Sequence, residues 1–111
     1  MTQLWAYIAK AAQFIRINAT ISGDAVLIAG VPGTQILVLG YVITSNLAVG
    51  LQFKSGANKI LSGAFDLGVN SSISYGGGVL APAFVTDPGD DLVINLTLAV
   101  NARGHLSYLL L

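Results

Sequence analysis

Hydrophobic and polar positions alternate with period two along most of the chain. From Asp91 onward, Leu92, Ile94, Leu96, Leu98 and Val100 fall on one side of an extended backbone, and Val93, Asn95, Thr97, Ala99 and Asn101 fall on the other. That is the pattern of a half-buried strand with a polar outer face. Ile15, Ile17, Ala19 and Ile21 alternate with Phe14, Arg16, Asn18 and Thr20 in the same manner. Residues 35–45 differ. Strict alternation puts Ile36, Val38 and Val42 on one face and Leu37, Leu39, Tyr41 and Ile43 on the other, so neither face wants water. A strand apolar on both sides sits centrally, with one face in the core and the other covered by something else.

Turn formers separate these runs at short intervals. Val31-Pro32-Gly33-Thr34 and Asp87-Pro88-Gly89-Asp90 carry Pro then Gly, the order a type II turn needs. Ser22-Gly23-Asp24, Ser55-Gly56-Ala57-Asn58 and Ala102-Arg103-Gly104 mark further turns, and Gly76-Gly77-Gly78 a longer corner. Additional strands are predicted over 25–28, 51–54, 59–67, 79–86 and 105–111. About eight short strands with turns every 8–12 residues predict an all-β, antiparallel sandwich or barrel. No helical pattern of crossover length alternates with them, which excludes βαβ architectures. Leu4, Ile8 and Ala12 share a helical face, although an extended arm or edge strand fits residues 1–12 equally. A chain of 111 residues has room for one domain. We therefore expect a sandwich domain over 13–111 preceded by an N-terminal arm.

Composition narrows the function classes. Charged residues make up 9% against about 25% in an ordinary soluble domain, Glu is absent, and 54% of positions are hydrophobic. Disorder is excluded by so much apolar surface. The five basic and five acidic residues cancel, leaving no field to attract nucleic acid or an anionic membrane. The apolar start, Leu4-Trp5-Ala6-Tyr7-Ile8-Ala9, has no basic segment before it and is cut by Lys10, unlike a signal peptide. The uncharged stretch 25–53 is long enough to cross a bilayer, but Pro32-Gly33, Gln35, Thr44, Ser45, Asn46 and Gln52 divide it into strands and turns. Without cysteine there is no disulfide, thiolate metal site or cysteine nucleophile.

Little of the remaining chemistry is catalytic. His105 stands alone, with no G-x-S-x-G elbow to supply a nucleophile, and it reads as a strand-start side chain facing solvent. Asp87, Asp90 and Asp91 crowd one turn where they could ligate Ca²⁺; the spacing is not that of an EF-hand, and a solvated acidic turn explains them as well. Tyr75-Gly76-Gly77-Gly78 lacks the phosphate-loop pattern. Trp5, Tyr7, Tyr41, Tyr75 and Tyr108 could form a sugar-stacking platform, but aromatics on strands more often serve core or interface. No catalytic residue, metal or cofactor is expected.

A lone sandwich of this size buries only about two-thirds of its unfolded surface. With so few charges, the rest would expose apolar patches larger than a monomer tolerates. An obligate oligomer is expected, with Leu37, Leu39, Tyr41 and Ile43 of the central strand and Trp5 and Tyr7 of the arm at the subunit contact.

The order of segments is also familiar. Phe14-Ile15-Arg16-Ile17-Asn18, Ile36-Leu37-Val38-Leu39-Gly40-Tyr41 after a Pro-Gly turn, and Leu51-Gln52-Phe53-Lys54-Ser55-Gly56 form its first half. Leu61-Ser62-Gly63-Ala64-Phe65, Tyr75-Gly76-Gly77, Asp87-Pro88-Gly89-Asp90-Asp91-Leu92 with Asn95-Leu96, and Gly104-His105-Leu106-Ser107-Tyr108 complete it. From about Gln13 onward this order resembles the small capsid decoration, or cement, proteins of tailed bacteriophages, in which a strand ending F-K-S-G and a final G-x-x-x-Y strand recur. The resemblance implies a jelly-roll-like sandwich, commonly a homotrimer, bound to the major capsid protein on the outer face of the head. The alternative from a different class is a glycan-binding jelly-roll module of a phage head or tail fibre.

Overall fold

Each period-two run forms a strand, and most strands pair with a partner distant in sequence. The computed structural model describes residues 12–111. Its strands are β1 (Gln13–Ala19), β2 (Gly23–Ile28), β3 (Ile36–Ser45), β4 (Val49–Ser55), β5 (Lys59–Ile60), β6 (Phe65–Leu67), β7 (Ser71–Tyr75), β8 (Phe84–Val85), β9 (Leu92–Leu96) and β10 (Ala102–Leu110). The first sheet runs β1-β10-β3-β7, with β8 also on β3, and the second runs β2-β9-β4-β5, with β6 also on β4. All pairings are antiparallel.

The pairs are nested: β1 with β10, β2 with β9, β3 with β7, β4 with β5 and β6. One long hairpin rolled into two facing sheets is a jelly roll. The expected all-β antiparallel sandwich is therefore the observed fold, and no helix occurs among the described residues. Both Pro-Gly turns have the expected geometry. Gly33 and Gly89 take φ of 76° and 83°, while Thr34 N–H donates to Val31 O at 2.9 Å and Asp90 N–H to Asp87 O at 3.1 Å.

The core lies between the sheets. Ile17, Ile36, Val38, Ile43 and Leu106 from one side meet Leu51, Phe53, Leu92, Ile94 and Leu96 from the other. Phe53 is its largest fully buried side chain, with ring centroids 5.0 Å from both Tyr41 and Phe84. Burying one such side chain stabilises by about 1.5–3 kcal/mol.

Several strand boundaries depart from the sequence expectation, and Ala102-Arg103-Gly104, expected as a turn, is the start of β10, paired with β1 on one side and β3 on the other. The run 59–67 is two short strands, because Ser62 Oγ, in place of a backbone carbonyl, accepts the Phe53 N–H at 2.9 Å, and small residues at 63–64 have nothing to bury. The strand begun at Leu92 stops at Leu96: Thr97 turns to Gly50, its N–H donating to Gly50 O and its Oγ1 accepting the Gly50 N–H. Residues 79–86 supply only β8, while Ser71–Tyr75, too serine-rich to show an apolar period, forms β7.

Candidate assembly surfaces

A single bulge decides which residues of β3 are available to a partner. Gly40 pairs with Ser107 and Val38 with Tyr108, so Leu39 is an extra residue in β3. Its carbonyl accepts the Gly78 N–H instead. One extra residue inverts the alternation beyond it. Ile36 and Val38 face the core before the bulge, and Tyr41 and Ile43 after it. The faces assigned by strict alternation are thereby corrected: Ile43 is 0% exposed and Tyr41 8%, both inside the protomer. Leu39 is also buried, and Leu37 is half-buried. Val42 and Thr44 are the outward residues of this half of the strand. Trp5 and Tyr7 lie outside the described residues.

The outer face of the β1-β10-β3-β7 sheet presents basic and apolar groups together. Across it, Arg16 pairs with His105 and then Val42, and Asn18 pairs with Arg103 and then Thr44. Phe14, 72% exposed, stands opposite Ser107. A shallow depression of about 180 Å³ is lined by Phe14, Val42, Tyr75, His105 and Ser107 among others. No aspartate belongs to this sheet: Asp24 is on β2, Asp66 on β6, and Asp87, Asp90 and Asp91 lie between β8 and β9. Arg16 and Arg103 thus stand on a sheet without a carboxylate among the described residues.

The opposite sheet is self-satisfied by comparison. Lys54 Nζ bridges Asp24 at 3.0 Å, and the Asn95 amide donates to the same carboxylate at 2.7 Å. The Asn95 hydrogen bond first, and then Lys54, hold the Asp24 carboxyl below its ordinary value.

One end of the sandwich carries an aliphatic crown. The β1–β2, β3–β4, β6–β7 and β9–β10 connections all meet there, as the pairing of Ala19 with Ala102 and of Ser45 with Ala102 and Ser71 requires. Each contributes one exposed aliphatic side chain: Ile21, Leu47, Val69 and Leu98, from 50% exposed at Leu47 to 63% at Val69. Asparagines brace the loops beneath. Asn46 Oδ1 accepts the Asn101 N–H at 2.8 Å, and Asn46 N–H donates to Asn101 O. Asn70 takes φ of 53°, a left-handed conformation that asparagine tolerates better than most residues. A depression of about 300 Å³ beside the crown is lined by Thr44, Ser45, Asn46, Asn70, Asn101 and Arg103. Alternation alone assigned Ile21 and Leu98 to the core face; their positions beside turn formers were the available signal that they form loop tips.

The far end holds the acidic turn, with its carboxylates separated. Asp87 bridges Lys59 at 2.7 Å, Asp90 accepts from Ser55 Oγ at 2.9 Å, and Asp91 accepts from Gly30 N–H at 2.6 Å. They converge on no common point, and no cluster with metal-ligating composition occurs among the described residues. Among the described tyrosines, Tyr41 and Tyr75 stand together, ring centroids 6.3 Å apart, and with Phe65 and Phe84 line a depression of about 260 Å³. Tyr41 packs against Phe84 and Phe53, burial pushing its hydroxyl pKa up. Tyr108 is buried and donates to Gln13 Oε1 at 2.8 Å, and Tyr75 is the most exposed of the described tyrosines.

No family model matches the chain, and no curated protein matches it. Among solved structures it is similar to a protein of Bacillus endospore appendages, described as a novel family of disulfide-linked pili. The identity is 14%, the TM-score 0.50, and the match covers 89% of this chain and 83% of that one. At that identity the likeness is one of fold alone. Looser likenesses are to the cyanophage Pam1 capsid asymmetric unit (13% identity, TM-score 0.43, 88% and 81% covered) and to infectious bursal disease virus, Gx strain (13%, 0.37, 87% and 32%).

Proposed function

We propose that this chain is a structural virion protein: a capsid decoration, or cement, protein that sits on the outer face of a phage head as a homotrimer and stabilises it by bridging major capsid subunits. The aliphatic crown carries this reading. Four loops at one end each present a large apolar side chain to solvent, with no carboxylate among those residues. An apolar, braced end of this kind suits a protein surface that it covers.

The mechanism is mechanical. A partner that binds only the assembled lattice shifts the assembly equilibrium toward itself, so capsid stability rises with occupancy. The molecule measures 43 × 27 × 20 Å, and an end of 27 × 20 Å falls short of the roughly 800 Å² per partner of a standard stable interface. Three crowns delivered together overcome that limit by avidity. Catalysis, cofactor and metal have no part in the reading, and residues 1–12 are assigned to anchoring or to the trimer contact.

Co-sedimentation of the purified protein with expanded heads of the encoding phage tests the proposal. Wild-type protein pellets with heads and raises their disruption temperature. Leu47→Asp with Leu98→Asp keeps the far-ultraviolet circular dichroism spectrum and loses at least about tenfold in affinity. Failure of the wild type to bind heads at about micromolar concentration overturns it. Specific retention on a glycan array, abolished by Tyr75→Ala, would instead favour the glycan-binding alternative.

A further inference from the structure

Two broad faces of the sandwich are complementary, and a second copy of this chain is the occupant that fits them. Among the described residues, Lys54 and Lys59 are paired within the protomer, to Asp24 and Asp87. Asp90 and Asp91 are hydrogen-bonded within it. Arg16 and Arg103 on the outer face of the first sheet, and Asp66 on that of the second, have no such partner among those residues. Asp66 points outward there because its neighbours Phe65 and Leu67 pack inward. Among the nine described charged side chains, the three without an ion pair or hydrogen bond inside the protomer are thus positive on one face and negative on the other.

We propose that the Arg16/Arg103 face of one copy docks against the Asp66 face of the next. Both faces carry apolar area to bury around the charges: Phe14 and Val42 on one, Val26 and Ile60 on the other. A broad face, up to 43 × 27 Å, has the area a stable contact needs, whereas an end does not. Pairing the first face with itself would set Arg16 and Arg103 against their own copies, which like-charge repulsion disfavours. The contact is thus between unlike faces, which closes as a ring when the rotation between copies permits. The inference rests on the trimer reading and supplies its interface.

Light scattering and sedimentation of the whole chain test it, with circular dichroism to show that each variant is folded. Wild type is expected as a trimer whose dissociation constant rises with salt. Arg16→Asp with Arg103→Asp, and separately Asp66→Arg, each weaken association by about a hundredfold, because each places like charges together. Combining all three substitutions reverses both faces and restores it. A monomeric wild type overturns the trimer reading and this inference together. A trimer indifferent to the single-face variants overturns the face assignment and leaves the trimer standing. Variants that dissociate without recovery in the combination overturn the pairing of these charges.

Discussion

Gly104 packs so closely under the carbonyl of Val42 that a β-carbon on it would overlap the Val42 oxygen. It lies in the central row of the sheet, between Ile17 on β1 and Ile43 on β3. The obstructing atom is backbone in a central strand, so no side-chain rotation relieves it. Gly104→Ala is expected to destabilise by about 3 kcal/mol or more, read as a drop in urea midpoint. Gly63→Ala, with open space around it, should change little.

Ser55 is buried and serves two partners. Its Oγ donates to Asp90 Oδ2 and accepts the Asp87 N–H, each at 2.9 Å. Ser55→Ala strands both groups next to the acidic turn and should cost about 1–3 kcal/mol. Ser72→Ala, on an exposed position of β7, is the control that should not.

Phe53→Ala removes the ring between Tyr41 and Phe84 and leaves a cavity in the centre of the core. The expected loss is about 3–5 kcal/mol. The near-ultraviolet circular dichroism of the tyrosines should weaken as well, since Tyr41 loses its neighbour at 5.0 Å.

Asp24 gives a pH dependence with a definite sign. Its carboxyl is held below the ordinary carboxylate value by Asn95 and Lys54. The stability it adds is present above that ordinary value and is lost as pH falls through the lowered one. Because the site is exposed to solvent, Asp24→Asn should cost no more than about 1 kcal/mol at neutral pH. The difference from wild type should shrink toward zero in acid. Urea melts at neutral and strongly acidic pH check this; a gap that widens in acid contradicts it.

The layers of the fold were legible where a local rule operates. Pro-Gly turns, the alternation of Ile15–Ala19 and Leu92–Leu96, and the absence of helical periods led to the sandwich because each constrains the backbone within a few residues. The faces of β3 were not legible, since the bulge at Leu39 is set by β10 across the sheet, and one skipped residue sent Tyr41 and Ile43 inward. β7 was hidden for another reason: Ser71, Ser72 and Ser74 carry no apolar period, and the strand forms because β3 needs a partner at Tyr41–Ser45. Ile21 and Leu98 were misread as core because alternation cannot reveal where a strand stops.

The nesting of the strand pairs also governs how the chain must fold. Gln13 finds Tyr108 only after everything between them has been made, and topologies built from such distant partners close slowly, on about a millisecond-to-second scale. On a ribosome, β1 and β3 emerge long before β10, the strand that separates them, so the apolar middle of the first sheet waits uncovered. Productive folding then depends on the last strand inserting before two waiting chains find each other. The rate of synthesis thereby becomes a determinant of yield.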